Sequence, residues 1–408
     1  MTYPIRPIDA SEWPMFSGVL EEAFGWTTHP TQSERFKAET EFDRTLAVFD
    51  GDLMVGVTSV YSLRMTAPGG PLPVGGVTAV GVLPSHRRRG VLSQMMRRQL
   101  ADIRDRGEPV AALYASESVI YGRFGYGRAS SSLSFRIDKH GSAFVKSAPV
   151  DPSLRIRVAS PADVRAGIER LFASVVTARP GRYERNKAFW DSTLADEEFD
   201  RNGMSTLRCL LAEDDEGVRG YALFRTKSSW DENDVPNGEL RLIELESSDP
   251  AAGALLWHSV LNRDLVTVVR AYRPPDEPLM ALLADQRQLR ASWLDELWVR
   301  LVEVDRALAA RAYSAPVNVV IEVEDDVCPW NAGRWRLTAD TTGAECKPTE
   351  DEPDMTLPVS SLGSAYMGDG QLIQQLGAGL LRERVPGAVR ALDTAMSWSP
   401  KPWAGRVF

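Results

Sequence analysis

Apolar residues at Leu92, Met95, Met96, Leu100 and Ile103 recur at the three-and-four spacing of one helix face, and Gly107 supplies a stop. Ahead of that helix, GGVTAVGVLP is a β-branched run ending at Pro84; behind it, VAALYAS reads as a buried strand. Nearer the start, TYPIRPID predicts a short strand, and SEWPMFSGVLEEAF predicts a helix with Ser11 as its N-cap. RTLAVFDGDLMVGVTSVYSL predicts two strands joined at Asp50-Gly51-Asp52. The order β-α-β-β-β-α-β is an α/β pattern with one central strand–loop–helix unit.

The pattern then recurs. RIRVASPADVRAGIERLF repeats the strand and capped helix, RCLLAEDDEGVRGYALFRT repeats the hairpin, GELRLIELES stands as the central strand, and SSDPAAGALLWHSVL as the helix after it. A third region differs: VDRALAARAY is helical, NVVIEVEDD, GRWRLTAD and AECKPT predict a small sheet, and VSSLGSAYMGDGQLIQQL predicts two helices around a glycine turn. The tail SWSPKPWAGRVF is too apolar to hang free, so it is expected to dock. The fold class expected is therefore α/β (α+β), with domains at 1–149, 150–298 and 299–408.

Composition changes this picture mainly by exclusion. Of 408 residues, 56 are acidic and 47 basic, a formal charge of −9, which disfavours a dedicated nucleic-acid binder and requires a local reason for any arginine cluster. Cys209, Cys328 and Cys346 are far apart, no CxxC occurs, and His29, His86, His140 and His258 show no metal-ligand spacing, so no metal is expected. The start of the sequence lacks a basic-then-apolar signal region and no apolar run is long enough for a bilayer; a cytoplasmic protein without a membrane partner is expected.

The arginine cluster is LPSHRRRGVL, Leu83–Leu92. A strand, an arginine- and glycine-rich loop and then a helix form a phosphate-binding arrangement: the first helical N–H groups lack internal partners, and the dipole is positive there. Neither GxxxxGK[ST] nor GxGxxG occurs, so the nucleotide loops of those types are excluded. Without its setting, RRRG would read as a solvated helix start.

The setting resembles the coenzyme A loop of the GNAT acetyltransferases, Q/R-x-x-G-x-G/A, over Arg87–Leu92, with Leu92 bulkier than the usual last residue. With ALYASESVIYGRFGYG (Ala112–Gly127), RASWLDELWVRLVEVDRALAARAY and the final phenylalanine, the chain is similar throughout to the enhanced intracellular survival (Eis) family. That resemblance implies a GNAT domain, a second, degenerate GNAT-like domain and a sterol-carrier-protein-like domain. It also implies a homohexamer and acetyl-CoA-dependent N-acetylation of amines, including aminoglycosides and lysine side chains. Val80, Gly81 and Val82 would face the pantetheine arm; Arg88, Arg89, Gly90, Val91, Leu92 and Ser93 would cradle the pyrophosphate; Ser116 and Glu117 would line the cofactor further along.

By the same resemblance Tyr121 is the general acid, with Tyr126 competing, and the α-carboxylate of Phe408 is the base. His86 reads as a loop residue near the cofactor, and Phe24 and Trp26 as an aromatic wall for the amine. Some family members carry an acidic residue where this chain has Trp26 and Val407, which weighs against tight binding of polycationic aminoglycosides. A lipid- or sterol-binding protein with a vestigial acetyltransferase site is the alternative reading.

Overall fold

The computed structural model describes residues 3–408. They form two compact units: 3–130 with 179–184 and 295–408, and 131–178 with 185–294.

The first unit contains β1 (Ile5–Pro7), α1 (Trp13–Phe24), α2 (Pro30–Glu39), β2 (Leu46–Asp50), β3 (Leu53–Ala67), β4 (Gly70–Val82), α3 (Val91–Asp105), β5 (Val110–Tyr114), α4 (Ser118–Tyr121) and β6 (Gly127–Arg128). Its seven-stranded sheet runs β1-β2-β3-β4-β5, then Leu297–Leu301, then β6. The stripe on α3 packs inward as its spacing requires: Val91, Met95, Met96, Leu100 and Ile103 are buried, whereas Leu92 is half-buried. Each such fully buried side chain contributes about 1.5–3 kcal/mol. Glycines let α3 lie close on the sheet, since a Cβ at Gly56 would stand 2.7 Å from Val91 and one at Gly75 2.9 Å from Ile103. The expected cap at Ser11 is corrected. Asp9 caps a short 3-10 turn, Ala10–Glu12, by accepting from the Ser11 N–H, and Glu12 reaches back to the Asp9 N–H at 3.1 Å. Asp9 takes that place because it holds the extended backbone a cap requires.

The same unit holds the third region. Its five-stranded sheet is ordered Ala344–Pro348, Gly333–Ala339, Val317–Glu324, Met355–Pro358, Arg382–Glu383. Helices Val359–Ala365 and Leu372–Gly377 flank a turn with Gly368 and Gly370 at positive φ. Trp403 and Ala404 of the tail are buried.

The second unit has a seven-stranded sheet ordered Ser292–Asp295, β7 (Ser131–Asp138), Val266–Arg273, Gly238–Ser247, Gly217–Lys227, Arg208–Asp214, Arg155–Ala159. It packs on Pro161–Val175 and Pro250–Leu261. The sequence boundary at 149/150 falls after β7, a strand of this second sheet, and that at 298/299 falls inside Leu297–Leu301, a strand of the first.

Candidate active site

β4 is the strand on which the site is built. It pairs in parallel with β5 only from Val74 to Val77, although it runs on to Val82. Against β3, the register passes from Ser59–Thr78 to Val57–Gly81, so β4 carries one extra residue, and Ala79 sits at φ +53. Such a bulge bends the strand away from its neighbour. Thr78–Val82 thus borders a gap beyond the end of the β4–β5 ladder.

The gap continues into a cleft of about 650 Å³, lined among others by Val80, Gly81, Val82, Arg88, Gly90, Val91, Leu92, Ser93, Ser116, Glu117 and Tyr121. Ten of the eleven residues expected around the cofactor therefore line one hollow. Arg89 is exposed and is not among the lining residues. At the floor is the start of α3. Gly90, at φ +83 with open space where a Cβ would be, holds the N-cap position and supplies no side-chain cap. The first turn has no acidic residue, and neither Arg88 nor Arg89 has an ion-pair partner among the described residues. Uncapped N–H groups, a positive dipole end and unpaired guanidinium groups suit a pyrophosphate, and the splayed strand suits an amide-bearing arm. The residues present fit acetyl-CoA. His86 lies beside the cleft, with Nε2 3.1 Å from Asp50 and Nδ1 2.9 Å from Ser85 Oγ.

The second unit supplies a contrast. Its corresponding helix, Pro250–Leu261, is capped by Asp249, which accepts from the N–H groups of Ala251 and Ala252 at 3.0 Å each. A carboxylate already fills the position where α3 is open.

A smaller hollow of about 200 Å³ adjoins the cleft and shares Phe24, Val80, Ser116 and Tyr121 with it. Trp26, Phe36, Thr78, Tyr114, Val407 and Phe408 complete much of its wall. The rings of Phe24 and Trp26 stack, with centroids 4.6 Å apart and planes 7° from parallel. Tyr121 therefore faces both hollows from the end of α4. Burial, and secondarily the charge of Glu117, push its phenol up to about 12, so it holds its proton at neutral pH. Tyr126 is buried, and its hydroxyl has no hydrogen-bond partner among the described residues.

The turn after Tyr121 explains the YGRFGYG motif. Arg300 is fully buried, donates to the Phe124 carbonyl at 2.9 Å and pairs with Asp325 at 2.5 Å. A Cβ at Gly125, where φ is +82, would stand 2.7 Å from Arg300 Nε, and one at Gly127 would stand 2.0 Å from the Ser360 carbonyl oxygen.

The tail reaches the smaller hollow. Thr78 Oγ1 donates to the Phe408 oxygen at 3.1 Å, and the Tyr114 hydroxyl donates to the Arg406 carbonyl at 2.7 Å. The Phe408 ring meets Tyr114 and Tyr183 edge-on, with centroids 5.2 and 5.5 Å apart. Sequence reasoning missed Thr78, Phe36 and Tyr183, which carry no motif, and did not single out Tyr114 within ALYASESVIYGRFGYG; all four join the site through folding.

The comparisons with known proteins show the family and the fold class. Acetyltransferase (GNAT) domain models match residues 4–129 and 181–301, and a sterol carrier protein domain model matches 304–405. The chain is 31% identical to the N-acetyltransferase Eis of Mycobacterium tuberculosis, covering 97% of each chain. The chain belongs to the Eis family of N-acetyltransferases. A Streptomyces avermitilis relative, an uncharacterised N-acetyltransferase, is 44% identical over 99% of each chain. The crystal structure of Eis1 from Mycobacterium abscessus matches at a TM-score of 0.86 and 32% identity, over 99% of this chain and all of that one. As a family member the chain is an acyltransferase of the GNAT type, and a GNAT domain implies use of acetyl-CoA.

Proposed function

We propose that the chain transfers the acetyl group of acetyl-CoA to amine nitrogen, with Tyr121 as general acid and the α-carboxylate of Phe408 as base. The observation that carries this reading is that the two hollows meet at Tyr121, with Phe408 on the wall of the smaller one. Acetyl-CoA, when bound, supplies the acetyl thioester; the cleft over α3 orients it, and Val80–Val82 border its arm. The amine enters between Phe24, Trp26 and Phe408. The α-carboxylate of Phe408, oriented by Thr78, takes one proton from the ammonium. The C–N bond then forms as the C–S bond breaks. Tyr121 gives its proton to sulfur and recovers the second nitrogen proton, and the proton on Phe408 passes to water. Aminoglycosides, lysine side chains and related polyamines are the acceptor classes this reading takes from the family. A homohexamer and a cytoplasmic location accompany it. No helix among the described residues is long and apolar enough to cross a membrane.

The test is to extend the chain beyond Phe408 by a short glycine–serine segment and measure turnover and acetyl-CoA affinity separately. Turnover is expected to fall while affinity holds; an unchanged rate would remove Phe408 from the mechanism.

A further inference from the structure

Glu296 is a buried carboxylate outside the cleft, joining the two strands Ser292–Asp295 and Leu297–Leu301. Its setting, WLDELWV, lies in a stretch that resembles the family, but nothing there singles out Glu296. Both of its oxygens are used: Oε1 accepts from the Gly405 N–H at 2.9 Å, and Oε2 accepts from the Ala404 N–H at 3.2 Å and from Ser130 Oγ at 2.6 Å. The chain turns at Gly405, at φ +81, and three residues later places Phe408 beside Thr78. Upstream, the Trp403 N–H donates to the Pro180 carbonyl at 2.9 Å, and Arg182 lies over the Trp403 ring.

We infer that Glu296 is a positioning residue for catalysis: by gripping the N–H groups of Ala404 and Gly405 it seats the tail so that Phe408 meets Tyr121 across the acceptor hollow. This rests on the role given to Phe408 above. The chemistry of the grip requires a carboxylate. Two backbone donors and a hydroxyl converge, and two oxygens can accept from all three. A glutamine of the same shape has one acceptor oxygen; its NH₂ would face a backbone N–H, donor against donor. Keeping an acid here is costly, since burial raises its carboxyl to about 7 against the opposing pull of Ser130, Gly405, Ala404 and Arg182. Downstream the tail is held by Tyr114 and Tyr183, whose hydroxyls donate to the Arg406 carbonyl, and by Thr78, which donates to Phe408.

The experiment compares the full-length enzyme, E296Q, the chain extended beyond Phe408, and the two changes combined, using acetyl-CoA with an amine turned over by the unaltered enzyme. E296Q is expected to lower kcat by about 10- to 100-fold, the usual cost of a reacting group displaced by about an ångström. The KM for acetyl-CoA stays unchanged, and carboxypeptidase Y removes Phe408 faster. The combined variant is expected to be no slower than the extended chain, because both changes act on one step. A merely structural Glu296 would lower stability and leave the kcat and KM of the surviving folded enzyme as they were, which would overturn the inference. Multiplying effects in the combined variant would overturn it too. If the extension leaves kcat unchanged, the Phe408 reading fails and this inference with it; if the extension lowers kcat and E296Q does not, only the inference fails. Should E296Q not fold, E296D, which keeps the charge but shortens the reach, is expected to show the same split between kcat and KM, and its absence would count against the inference equally.

Discussion

Replacing Gly90 by aspartate separates the cost of a side chain from the cost of a charge at the start of α3. The Cβ would enter open space, so the structural penalty is backbone strain at φ +83, about 1–2 kcal/mol. That corresponds to a Tm lower by about 2–8 °C. In this left-handed conformation the carboxylate is not set to cap the helix as Asp249 caps its own, which lies in the extended region. Its charge instead meets the pyrophosphate. Two like charges 4 Å apart repel by about 4 kcal/mol at an effective dielectric constant near 20. If screening and side-chain freedom leave half, about 2 kcal/mol, affinity falls roughly 30-fold. Gly90→Ala carries the strain without the charge and is the control. Titration calorimetry with acetyl-CoA is expected to show G90D binding at least about 30-fold more weakly than G90A, with the gap narrowing as salt rises. Affinities within about threefold of each other would mean that the pyrophosphate does not sit on α3, and the cofactor placement would fall.

Three further outcomes are expected. Tyr121→Phe lowers kcat by about 10²- to 10⁴-fold and leaves acetyl-CoA affinity unchanged, measured by thiol release and calorimetry; full activity would transfer the acid role elsewhere. Arg300→Ala strands the Asp325 carboxylate and frees the Phe124 carbonyl, costing about 3–5 kcal/mol in denaturant unfolding, and a loss below about 1 kcal/mol would contradict the pairing. Glu296 has its folded pKa raised from 4.5 to about 7, so its contribution to stability is fully present below about pH 4.5 and is lost as pH rises through 7. Relative to E296Q, the unaltered protein is expected to lose about 3 kcal/mol across that window, read as the difference in unfolding free energy at each pH; a flat difference would show that burial does not perturb the group.

The parts that were legible in the sequence are those whose signal is local. The α3 stripe, the hairpin turn at Gly51 and the loop of Leu83–Leu92 each lie within a few turns of chain, and the pattern alone places them. The helix α2 was not read, because PTQSERFKAE presents no apolar face and buries no residue. β7 and Leu297–Leu301 were not assigned to their sheets, because strand pairing between distant segments leaves no periodic trace in either. Within the site, Arg88, Gly90 and Tyr121 stood in motifs. Thr78 stood in none, and Tyr114 and Glu296 were not singled out within theirs, since what each meets is a tail more than a hundred residues away in sequence. Asp9 displaced Ser11 as the first cap because two neighbouring small polar residues compete for that position, and only backbone conformation decides between them.

The place of Leu297–Leu301 between β5 and β6 has a consequence for biosynthesis. When β6 leaves the ribosome, the neighbour that both it and β5 require is still unmade, because the message from Arg128 to Leu297 has yet to be translated. At ordinary elongation rates that interval lasts roughly 10–30 s. Through it the apolar strand VAALY has an unpaired edge, the kind of surface on which nascent chains aggregate. Yield in a host is therefore expected to depend on translation speed and on chaperones that shield β5. A fragment ending near residue 129 would keep that edge permanently, so the acetyltransferase unit is not a module that can be cut out and moved.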